Sequence, residues 1–395
     1  MPDLKPRPPL PPGTLLGMLG GGQLGRMFID AAHRLGYRVH VLSPSADDPA
    51  ARIADRHTPA AYDDAEAAAR FAASVAVVTY EFENVPAATA AAAAAHAPVH
   101  PGQHVLRVAQ DRALEKQALR ELGLPIAPFA TVDQEADLQA AAETLGRPAV
   151  LKTRTGGYDG KGQRVIRPSD DLAYAWLDLG GRPCVLEAMV DFEQEVSVIA
   201  ARDAAGRTCT YGPLANTHRN HILDVSVLPA GLDPEASARA TGLATRVMEG
   251  LNVTGVLCVE FFVLGPHDPR CAEADGRLLI NELAPRPHNS GHLTIEACPA
   301  SQFEQQVRCV AGLPLGDPTP RTAAAMANLL GDLWFGEERP DATPPAFERA
   351  RTPGVHVHLY GKDDPRPGRK MGHLTAVART PHEALRDAVE SRARL

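Results

Sequence analysis

Short apolar runs alternate with helical patterns in the first part of the chain, and this order predicts a βαβ unit. Apolar residues at Thr14–Leu19 and Tyr37–Leu42 indicate two strands, and the spacing of Met27, Phe28 and Leu35 indicates a helix between them. Further helices and strands are predicted at Ala60–Ala73, Val75–Thr79, Ala87–Ala97, Val99–Pro101 and Gln103–Leu122.

A second, smaller α/β unit follows the proline-bounded segment Pro125–Pro128, and longer strand patterns come after it. Strands are predicted at Pro148–Lys152, Arg164–Ile166, Pro183–Glu187, Gly255–Leu264, Arg321–Leu330 and Val355–Tyr360, and Tyr211–Leu214 is expected to open the last domain. Helices are predicted at Pro234–Leu251 and Ile295–Gly312. The pattern therefore indicates a chain of successive units that mix helices and strands.

Composition narrows the classes of function. A chain of 395 residues with 44% hydrophobic residues is expected to form two or three domains with a sizeable core. The net charge of −8 disfavours binding to nucleic acids or membrane surfaces. None of the six cysteines forms a CxxC pair, which favours a reducing cytoplasm over disulfides or a zinc site. The proline-rich residues 1–13 are expected to be a disordered lead-in and not a signal peptide.

The stretch Leu278–His292 carries the densest candidate chemistry. Glu282 interrupts an apolar, strand-like run, where an ionised carboxylate requires a metal or a basic partner. A turn with Arg286, His288 and Asn289 follows it. The pattern is typical of a strand end that delivers an acid to a cation and then opens into an anion pocket. A structural ion pair between Glu282 and Arg286 is the alternative.

A second acid, Glu260, lies in the middle of the strand pattern Gly255–Leu264. The Gly-, Pro- and Asp-rich segment that follows predicts a hairpin to the strand of Glu282. Two carboxylates at short range repel each other unless a divalent cation lies between them, and Mg²⁺ is often shared with substrate phosphates. The pair therefore predicts a magnesium–nucleotide site, unless the two acids face opposite sides of the hairpin.

Gly20–Gly25 forms a G-x-G-x-x-G turn between the first strand and the first helix. Such a turn lets the backbone approach a phosphate at a helix N-terminus, which suggests a dinucleotide site. That site needs an acid at the end of the second strand, but Ser43 and Pro44 stand there, and Asp47 and Asp48 come later. The dinucleotide interpretation is therefore weakened, and a mononucleotide or ribose phosphate remains a candidate.

A glycine-rich segment follows Lys152 and contains four glycines and two basic residues up to Gln163. It favours a mobile flap over phosphates, with backbone N–H groups and Lys161 as donors; a flexible hairpin is the alternative. It is not a Walker loop, because Gly162 follows Lys161 where that loop has Ser or Thr.

Several other polar positions carry weaker signals. Glu81 and Asn84 follow a strand end, where open α/β sheets bind ligands, but the loop could equally be solvated. Glu195 suits a ribose. His218 and Arg112 are each more often structural on their own. The cations Lys362, Arg366, Arg369 and Lys370 suit a phosphate monoester or form a solvated basic turn.

With these motifs, the chain resembles the ATP-grasp superfamily and, within it, the 5-(carboxyamino)imidazole ribonucleotide synthases of purine biosynthesis. The matching motifs run in order from about Gly17 to about His373: GGGQLGRM, TYEFENVP, LKTRTGGYDGKGQ, EVSVIAAR, NTHRNHIL, NELAPRPHNSGH and RPGRKMGH. The proline-rich start and the tail after Ala376 lie outside the match.

The resemblance implies an α/β and α+β protein with the ATP-grasp fold. Residues 14–108 would form a Rossmann-like pre-ATP-grasp domain and residues 109–209 a small mobile lid domain. Residues 210–395 would form a C-terminal antiparallel-sheet domain with a terminal basic substrate-binding segment. Because members of this family are usually homodimers, the resemblance also implies a cytoplasmic homodimer.

The resemblance also implies roles for individual residues. Mg²⁺ would bind Glu260 and Glu282. ATP would be held by Arg112, Lys152, Gly157, Tyr158, Asp159, Gly160, Lys161, Gly162, Gln163, Glu187, Ala188, Met189, Val190, Glu195, His218, Asn281 and Glu282. The ribonucleotide would contact Gly22, Gln23, Leu24, Glu81 and Asn84, with its phosphate on Lys362, Arg369 and Lys370. The reacting carboxylate would be surrounded by Tyr158, Lys161, Arg286, His288 and Asn289.

The implied reaction is the ATP- and bicarbonate-dependent carboxylation of the exocyclic amine of 5-aminoimidazole ribonucleotide. It would pass through carboxyphosphate and release ADP and phosphate. A formate-dependent ligase acting on glycinamide ribonucleotide is an alternative, although the NSGH turn and YDGKG flap speak against it. An NAD(P)-dependent oxidoreductase, suggested by Gly20–Gly25 alone, and a non-catalytic nucleotide-binding protein are alternatives of other classes.

Overall fold

The computed structural model describes residues 8–157, 160–265, 268, 277–335, 342–350 and 352–395. Tyr158 and Asp159, both predicted site residues, lie outside these ranges, as does most of the predicted hairpin connection after Leu264. The five cysteines in the described ranges are free thiols. No helix in the same ranges has the length and apolar character needed to cross a bilayer.

The N-terminal unit is a parallel four-stranded sheet with helices packed on it. Its elements are β1 (Leu15–Leu19), α1 (Gln23–Arg34), β2 (Arg38–Ser43), β3 (Arg56–Pro59), α2 (Ala65–Ala72), β4 (Val78–Tyr80), α3 (Ala87–Ala94), α4 (Gln103–Gln110) and α5 (Arg112–Glu121). The strand order is β3-β2-β1-β4. Helix α1 buries Leu24, Met27, Phe28 and Ala31, whose helical spacing places them on one face. The predicted βαβ start is confirmed.

A small antiparallel sheet follows, with strand order β5-β8-β6-β7. Its elements are β5 (Phe129–Val132), α6 (Glu135–Leu145), β6 (Ala149–Thr153), β7 (Gln163–Ile166), α7 (Leu172–Asp178) and β8 (Cys184–Ala188). Leu138, Leu151 and Trp176 belong to a separate core under this sheet. The unit can therefore pack on its own.

The third unit is an eight-stranded antiparallel sheet with order β13-β12-β9-β10-β11-β14-β16-β15. Its elements are β9 (Phe192–Arg202), β10 (Thr208–Arg219), β11 (Ile222–Leu228), α8 (Pro234–Gly250), β12 (Gly255–Leu264), β13 (Leu278–Ala284), α9 (Thr294–Ala297), α10 (Gln302–Ala311), β14 (Ala323–Leu330), β15 (Val355–Leu359), β16 (Lys370–Ala378) and α11 (Pro381–Ala393). Val259 and Phe261 of β12 pack with α8 in one core. The alternation of a strand turns Cys258 and Glu260 to the opposite face.

The predicted domain boundaries stay predictions. Strand β9, which the sequence analysis puts in the lid domain of residues 109–209, hydrogen-bonds to β10 and β12 in the large sheet. This pairing favours an end of the lid unit near Ala188, the last residue of β8.

The long helix predicted at Gln103–Leu122 is wrong, because the helix breaks at Asp111. The Asp111 carboxylate accepts hydrogen bonds from the backbone N–H groups of Ala113 and Leu114 and so caps α5. It also pairs with Arg154 at 2.7 Å. A residue with extended backbone between two helical segments is the usual position of such a cap. The break turns α5, and Arg112 with it, toward the interior.

Other boundaries differ for similar local reasons. The helix predicted at Ile295–Gly312 splits into α9 and α10, and Ser301 caps the second piece. The helix predicted at Ala60–Ala73 begins only after the cap Asp64. The strand predicted at Val99–Pro101 is a single bridge between Val99 and Val78. Residues after Ala376, predicted to lie outside the matching region, end β16 and form α11, which packs on the large sheet.

Replacement of Asp111 tests the helix break. We expect Asp111→Ala to lower the free energy of unfolding by about 1 kcal/mol more than Asp111→Asn, because Asn retains the cap acceptor. Both variants lose the ion pair with Arg154. Urea unfolding followed by circular dichroism measures the difference. Equal destabilisation by the two variants would contradict a capping role.

Candidate active site

Glu260 and Glu282 occupy directly paired positions on the antiparallel strands β12 and β13. Directly opposed residues in such a pair have their side chains on the same face. The predicted strand pairing is therefore confirmed, and the alternative with the two acids on opposite faces is wrong. Like charges this close require cations or hydrogen-bond donors around them.

The two acids have separate basic partners. Glu282 pairs with Arg112 of α5 at 3.1 Å, and Glu260 pairs with Nε2 of His288 at 2.9 Å. Arg286 pairs instead with Glu83, at 2.8 Å. The structural Glu282–Arg286 pair considered from the sequence is therefore wrong, since Arg286 turns toward the loop after β4.

The ionisation of Glu282 follows from these partners. Burial alone would raise the pKa of Glu282, but the positive charges of Arg112 and Lys152 outweigh burial and hold the pKa below its usual range. The carboxylate is therefore charged at neutral pH. A charged, half-buried carboxylate opposite a second one suits a divalent cation.

His288 belongs to a hydrogen-bonded network that leads away from the acids. Its Nδ1 lies 2.9 Å from Oγ of Ser290, and the Ser197 hydroxyl donates to that same oxygen at 2.8 Å. Asn216 donates in turn to Ser197. Gln302 accepts from the backbone N–H of His288 and donates to its carbonyl oxygen. The imidazole is therefore held at both its ring and its backbone.

A buried cluster of two lysines and one acid lies beside the pair of carboxylates. Lys152 donates to Glu187 at 3.0 Å, and Lys116 lies 3.7 Å from the same oxygen. Lys116 also donates to the carbonyl oxygen of Asn281 at 2.7 Å. Burial alone would raise the pKa of Glu187, but the two lysines lower it to about 2. The cluster keeps a net positive charge next to Glu282.

The sequence analysis missed Lys116 and Glu115 as site residues. Arg112, Glu115, Lys116 and Leu119 follow the i, i+3, i+4, i+7 spacing of a buried helix face, and the last three are indeed buried. Charged residues at such spacing are the signal that could have found them. Burial raises the pKa of Glu115 to about 8, and its carboxylate accepts from the backbone N–H of Leu283.

The glycines of the predicted flap allow close contacts that a side chain would prevent. A Cβ on Gly160 would lie 2.5 Å from His221, and one on Gly162 would lie 2.6 Å from Oγ1 of Thr153. Both glycines have positive φ. A guanidinium nitrogen of Arg112 reaches the carbonyl oxygen of Gly157 at 3.5 Å. Gly157 thus lies beside the Arg112 side chain that pairs with Glu282.

Glu81 occupies the glycine-rich turn at the start of α1. Its carboxylate accepts from the backbone N–H of Gly22 at 2.7 Å, and a Cβ on Gly20 would lie 2.6 Å from the Glu81 side chain. The chain itself therefore supplies the anion that a helix N-terminus attracts. This contact argues against a dinucleotide phosphate at Gly20–Gly25 and assigns the glycines a role in holding Glu81.

The predicted C-terminal cations differ in their surroundings. Burial, with the nearby charge of Arg369, lowers the pKa of Lys362 to about 8. Lys362 donates to the carbonyl oxygen of Lys370, and Arg369 pairs with Asp364 at 3.3 Å. The attraction between Lys362 and Glu81 connects this segment to the N-terminal unit.

Other predicted residues are placed as follows. Glu195 and His218 lie together, with 2.7 Å between a carboxylate oxygen and Nδ1. The backbone N–H of Ala188 donates a hydrogen bond to the carbonyl oxygen of Pro128. The side chain of Leu24 packs in the core. Asn289 exchanges two hydrogen bonds with Asn328, so its amide is held by protein.

One cleft joins the nucleotide candidates to the ribonucleotide candidates. It encloses about 530 Å³ of empty space, part of it open to solvent. Its lining includes Glu83, Asn84, Arg112, Glu115, Gly157, Glu282, Arg286 and His288. Glu282 of β13 and His288, the partner of Glu260, thus lie on the same cavity as the loop after β4.

Three family models match the chain in succession. They are the ribonucleotide synthetase preATP-grasp domain at residues 14–110, the ATP-grasp domain at residues 117–303 and the phosphoribosylaminoimidazole carboxylase C-terminal domain at residues 324–387. The ATP-grasp fold predicted from the sequence is confirmed.

Individual relatives match over nearly the whole chain. An N5-carboxyaminoimidazole ribonucleotide synthase of Brucella melitensis is 43% identical, covering 93% of this chain and 97% of its own. A crystal structure of an N5-carboxyaminoimidazole ribonucleotide synthetase in complex with ADP is 39% identical with a TM-score of 0.88, covering 98% of both chains. A structure of the Aspergillus clavatus synthase with ADP and 5-aminoimidazole ribonucleotide is 29% identical with a TM-score of 0.85, covering 97% of this chain and 99% of its own.

The Glu83–Arg286 ion pair connects two units, and its loss should destabilise the protein. We expect Glu83→Gln to lower the free energy of unfolding by roughly 1–3 kcal/mol, because Arg286 then stays buried without its closest partner. Glu193→Gln is the matched control. Its partner Arg277 is more exposed, and exposed pairs contribute about 1 kcal/mol at most. Urea unfolding that ranks the control as the less stable variant would contradict this role of Arg286.

Proposed function

The chain belongs to the N5-carboxyaminoimidazole ribonucleotide synthase family, and we propose that it carboxylates the exocyclic amine of 5-aminoimidazole ribonucleotide. ATP and bicarbonate are the other substrates, and ADP and phosphate are released with the carboxylated ribonucleotide. We place this ATP-dependent ligase in cytoplasmic purine biosynthesis, acting as a homodimer.

The observation that carries this proposal is the shared cleft. Glu282 and Arg112 line it on the nucleotide side, while Asn84 and the Glu83–Arg286 pair line it on the other side. Transfer of a phosphoryl group to bicarbonate and then of a carboxyl group to an amine needs two substrates next to one another. A single cavity between the two sets of residues supports that requirement.

The residues present fit Mg²⁺. Glu260 and Glu282 offer opposed carboxylates, whose oxygen atoms are the kind of ligand that Mg²⁺ prefers. When bound, the cation would neutralise phosphate charge as the γ-phosphoryl group departs.

The side chains around the acids suit phosphoryl transfer. Such transfer depends chiefly on positioning and on neutralisation of charge. Lys152, held by Glu187, and Arg112, held by Glu282, would bind phosphate oxygens as fixed donors. Backbone groups of residues 160–163 would cover the phosphates from above, with the donor Lys161 beside them. Glu195 and His218 would hold the sugar.

Carboxyphosphate forms when a bicarbonate oxygen attacks the γ-phosphorus and ADP leaves. Arg286 and His288 lie where they can bind the resulting carboxylate, because both line the cleft beside Glu282. The intermediate is short-lived in water, so closure of the glycine-rich flap would exclude solvent. The ribonucleotide amine then takes the carboxyl group, directly or as CO₂, and phosphate leaves. No general base is required of the chain, since the departing phosphate can accept the proton that the amine loses as the new C–N bond forms.

The ribonucleotide would lie against the N-terminal unit. Glu81, fixed by Gly22, and Asn84 offer acceptors to its hydroxyl and amine groups. Gln23 and Leu24 border the same turn and would contribute backbone contacts. Lys362, with Arg369 and Lys370 nearby, supplies positive charge for the phosphate.

Release of ADP tests the proposed reaction. We expect ADP to form from MgATP only when both 5-aminoimidazole ribonucleotide and bicarbonate are present. Glu282→Gln should reduce the rate by roughly 100-fold or more, the scale for loss of an electrostatic group at a reacting centre. Glu66→Gln, on the exposed surface of α2, is the control.

Assays with different substrates distinguish the competing functions. ADP formation with formate and glycinamide ribonucleotide would support the formate ligase instead. ADP formation that does not depend on the ribonucleotide would leave the nucleotide site in place and contradict the acceptor. Nicotinamide cofactor binding would contradict the role assigned to Glu81.

The depressed pKa of Lys362 predicts a pH dependence. Its charge is present below pH about 8 and is lost above it, so the attraction for the ribonucleotide phosphate weakens as pH rises. We expect kcat/KM for the ribonucleotide to fall up to tenfold per pH unit above that value, because this ratio reports groups of the free enzyme. Lys362→Arg should remove the fall, since a guanidinium stays charged. If kcat/KM of Lys362→Arg falls in the same way above that pH, the dependence belongs to another group.

A further inference from the structure

One thiol lies beside the proposed magnesium ligands. Cys258 stands two residues before Glu260 on β12, so their side chains share the face of the strand that is turned toward His288. One donor atom of each of Cys258, Glu260 and His288 lies within 4.8 Å of the others. No other such group of three occurs in the ranges that the structure describes.

The three donors form a set of a different chemical kind from the pair of carboxylates. Thiolate, imidazole and carboxylate are the ligands of zinc and of similar late transition metals, whereas Mg²⁺ prefers oxygen alone. Ligands at about 2.0–2.3 Å in a tetrahedron lie about 3.3–3.8 Å from one another. The imidazole and the carboxylate, now 2.9 Å apart, would separate slightly to admit the ion. Cys258 is fully buried, while Glu260 and His288 retain some exposure, and His288 lines the cleft. An ion can therefore reach the site from the cleft.

The surroundings of His288 also suit a metal ligand. Its Nε2 points at Glu260, and its Nδ1 lies 2.9 Å from the Ser290 hydroxyl oxygen. Metal-binding histidines usually donate their second ring N–H to such a partner, which fixes the tautomer and the orientation. The Ser290 hydroxyl is in turn held by Ser197. The imidazole is thus already held with Nε2 toward Glu260.

We propose that Cys258, Glu260 and His288 form an inhibitory site for Zn²⁺ or a similar late transition metal. Metal binding itself does not depend on the proposed function, but the inhibition does. A bound metal ion would withdraw Glu260 from Mg²⁺ and His288 from the reacting carboxylate. Binding replaces the thiol S–H bond with a metal–sulfur bond, and the proton goes to solvent. The fourth position is left for water or a substrate oxygen. Zinc would therefore inhibit this ATP-dependent ligase reversibly.

Cobalt spectroscopy tests the site without reference to activity. Co²⁺ added to the full-length, metal-free protein should bind with a stoichiometry of one and give a near-ultraviolet sulfur-to-cobalt charge-transfer band. Zn²⁺ should displace it and abolish the band. Cys258→Ser should lack the band, whereas Cys309→Ser, which removes another buried thiol, should retain it. Circular dichroism of each variant confirms that it is folded, and Cys258→Ala provides a second test.

Inhibition tests the consequence. We expect Zn²⁺ to inhibit ADP release in the presence of excess MgATP, and chelation to restore it. The concentration for half inhibition, relative to each variant's own zinc-free rate, should rise about tenfold or more in Cys258→Ser. It should stay unchanged in Cys309→Ser.

Two results would overturn the proposal. One is a wild-type protein that gives no charge-transfer band, and the other is a band that persists in both Cys258 variants. A normal band in a protein without ligase activity would contradict the proposed function and leave the metal site standing. Equal zinc inhibition of the wild type and Cys258→Ser, in a wild type that gives no charge-transfer band, would also contradict the proposal. It would assign the inhibition to the two carboxylates alone.

Discussion

Two carboxylates that face each other across one pair of strands set the main constraint on this structure. Glu260 and Glu282 cannot both stay charged in a half-buried site unless positive groups surround them, since like charges at this range repel. Arg112 reaches Glu282 from α5, and His288 reaches Glu260 from the turn after β13. The acid pair thus requires that α5 and the turn after β13 lie beside it. A divalent cation bound between the two carboxylates would neutralise the remaining negative charge.

The same constraint explains why α5 is charged on its buried face. Lys116 and Glu115 are almost entirely buried, and burial of an unpaired ion such as a lysine ammonium costs several kcal/mol. The cost is offset because Glu187, the carbonyl oxygen of Asn281 and the backbone N–H of Leu283 supply partners from the small sheet and from β13. Arg112 and Lys116 of α5 thus find their acidic partners, Glu282 and Glu187, in the other two units. The site and the packing of the units are therefore one feature, and a change in either alters both.

The glycine-rich turn shows how one motif can serve a different purpose from its usual one. A G-x-G-x-x-G turn at a helix N-terminus attracts an anion, and here the Glu81 carboxylate fills that role. The turn holds the carboxylate of Glu81 in place of a cofactor phosphate. Function is therefore decided by the contents of the site and not by the fold alone.

The sequence by itself determined the βαβ start of the first unit, the antiparallel pairing of Gly255–Leu264 with Leu278–Ala284, and the family. These follow from local periodicity and from motifs whose residues are close along the chain. Only the tertiary structure decided that Arg112 meets Glu282, that Arg286 meets Glu83 and that Cys258 joins Glu260 and His288. Such partners lie far apart in sequence. Which charges become neighbours depends on how separately folded units pack, because burial requires each charge to find a partner that no local pattern encodes.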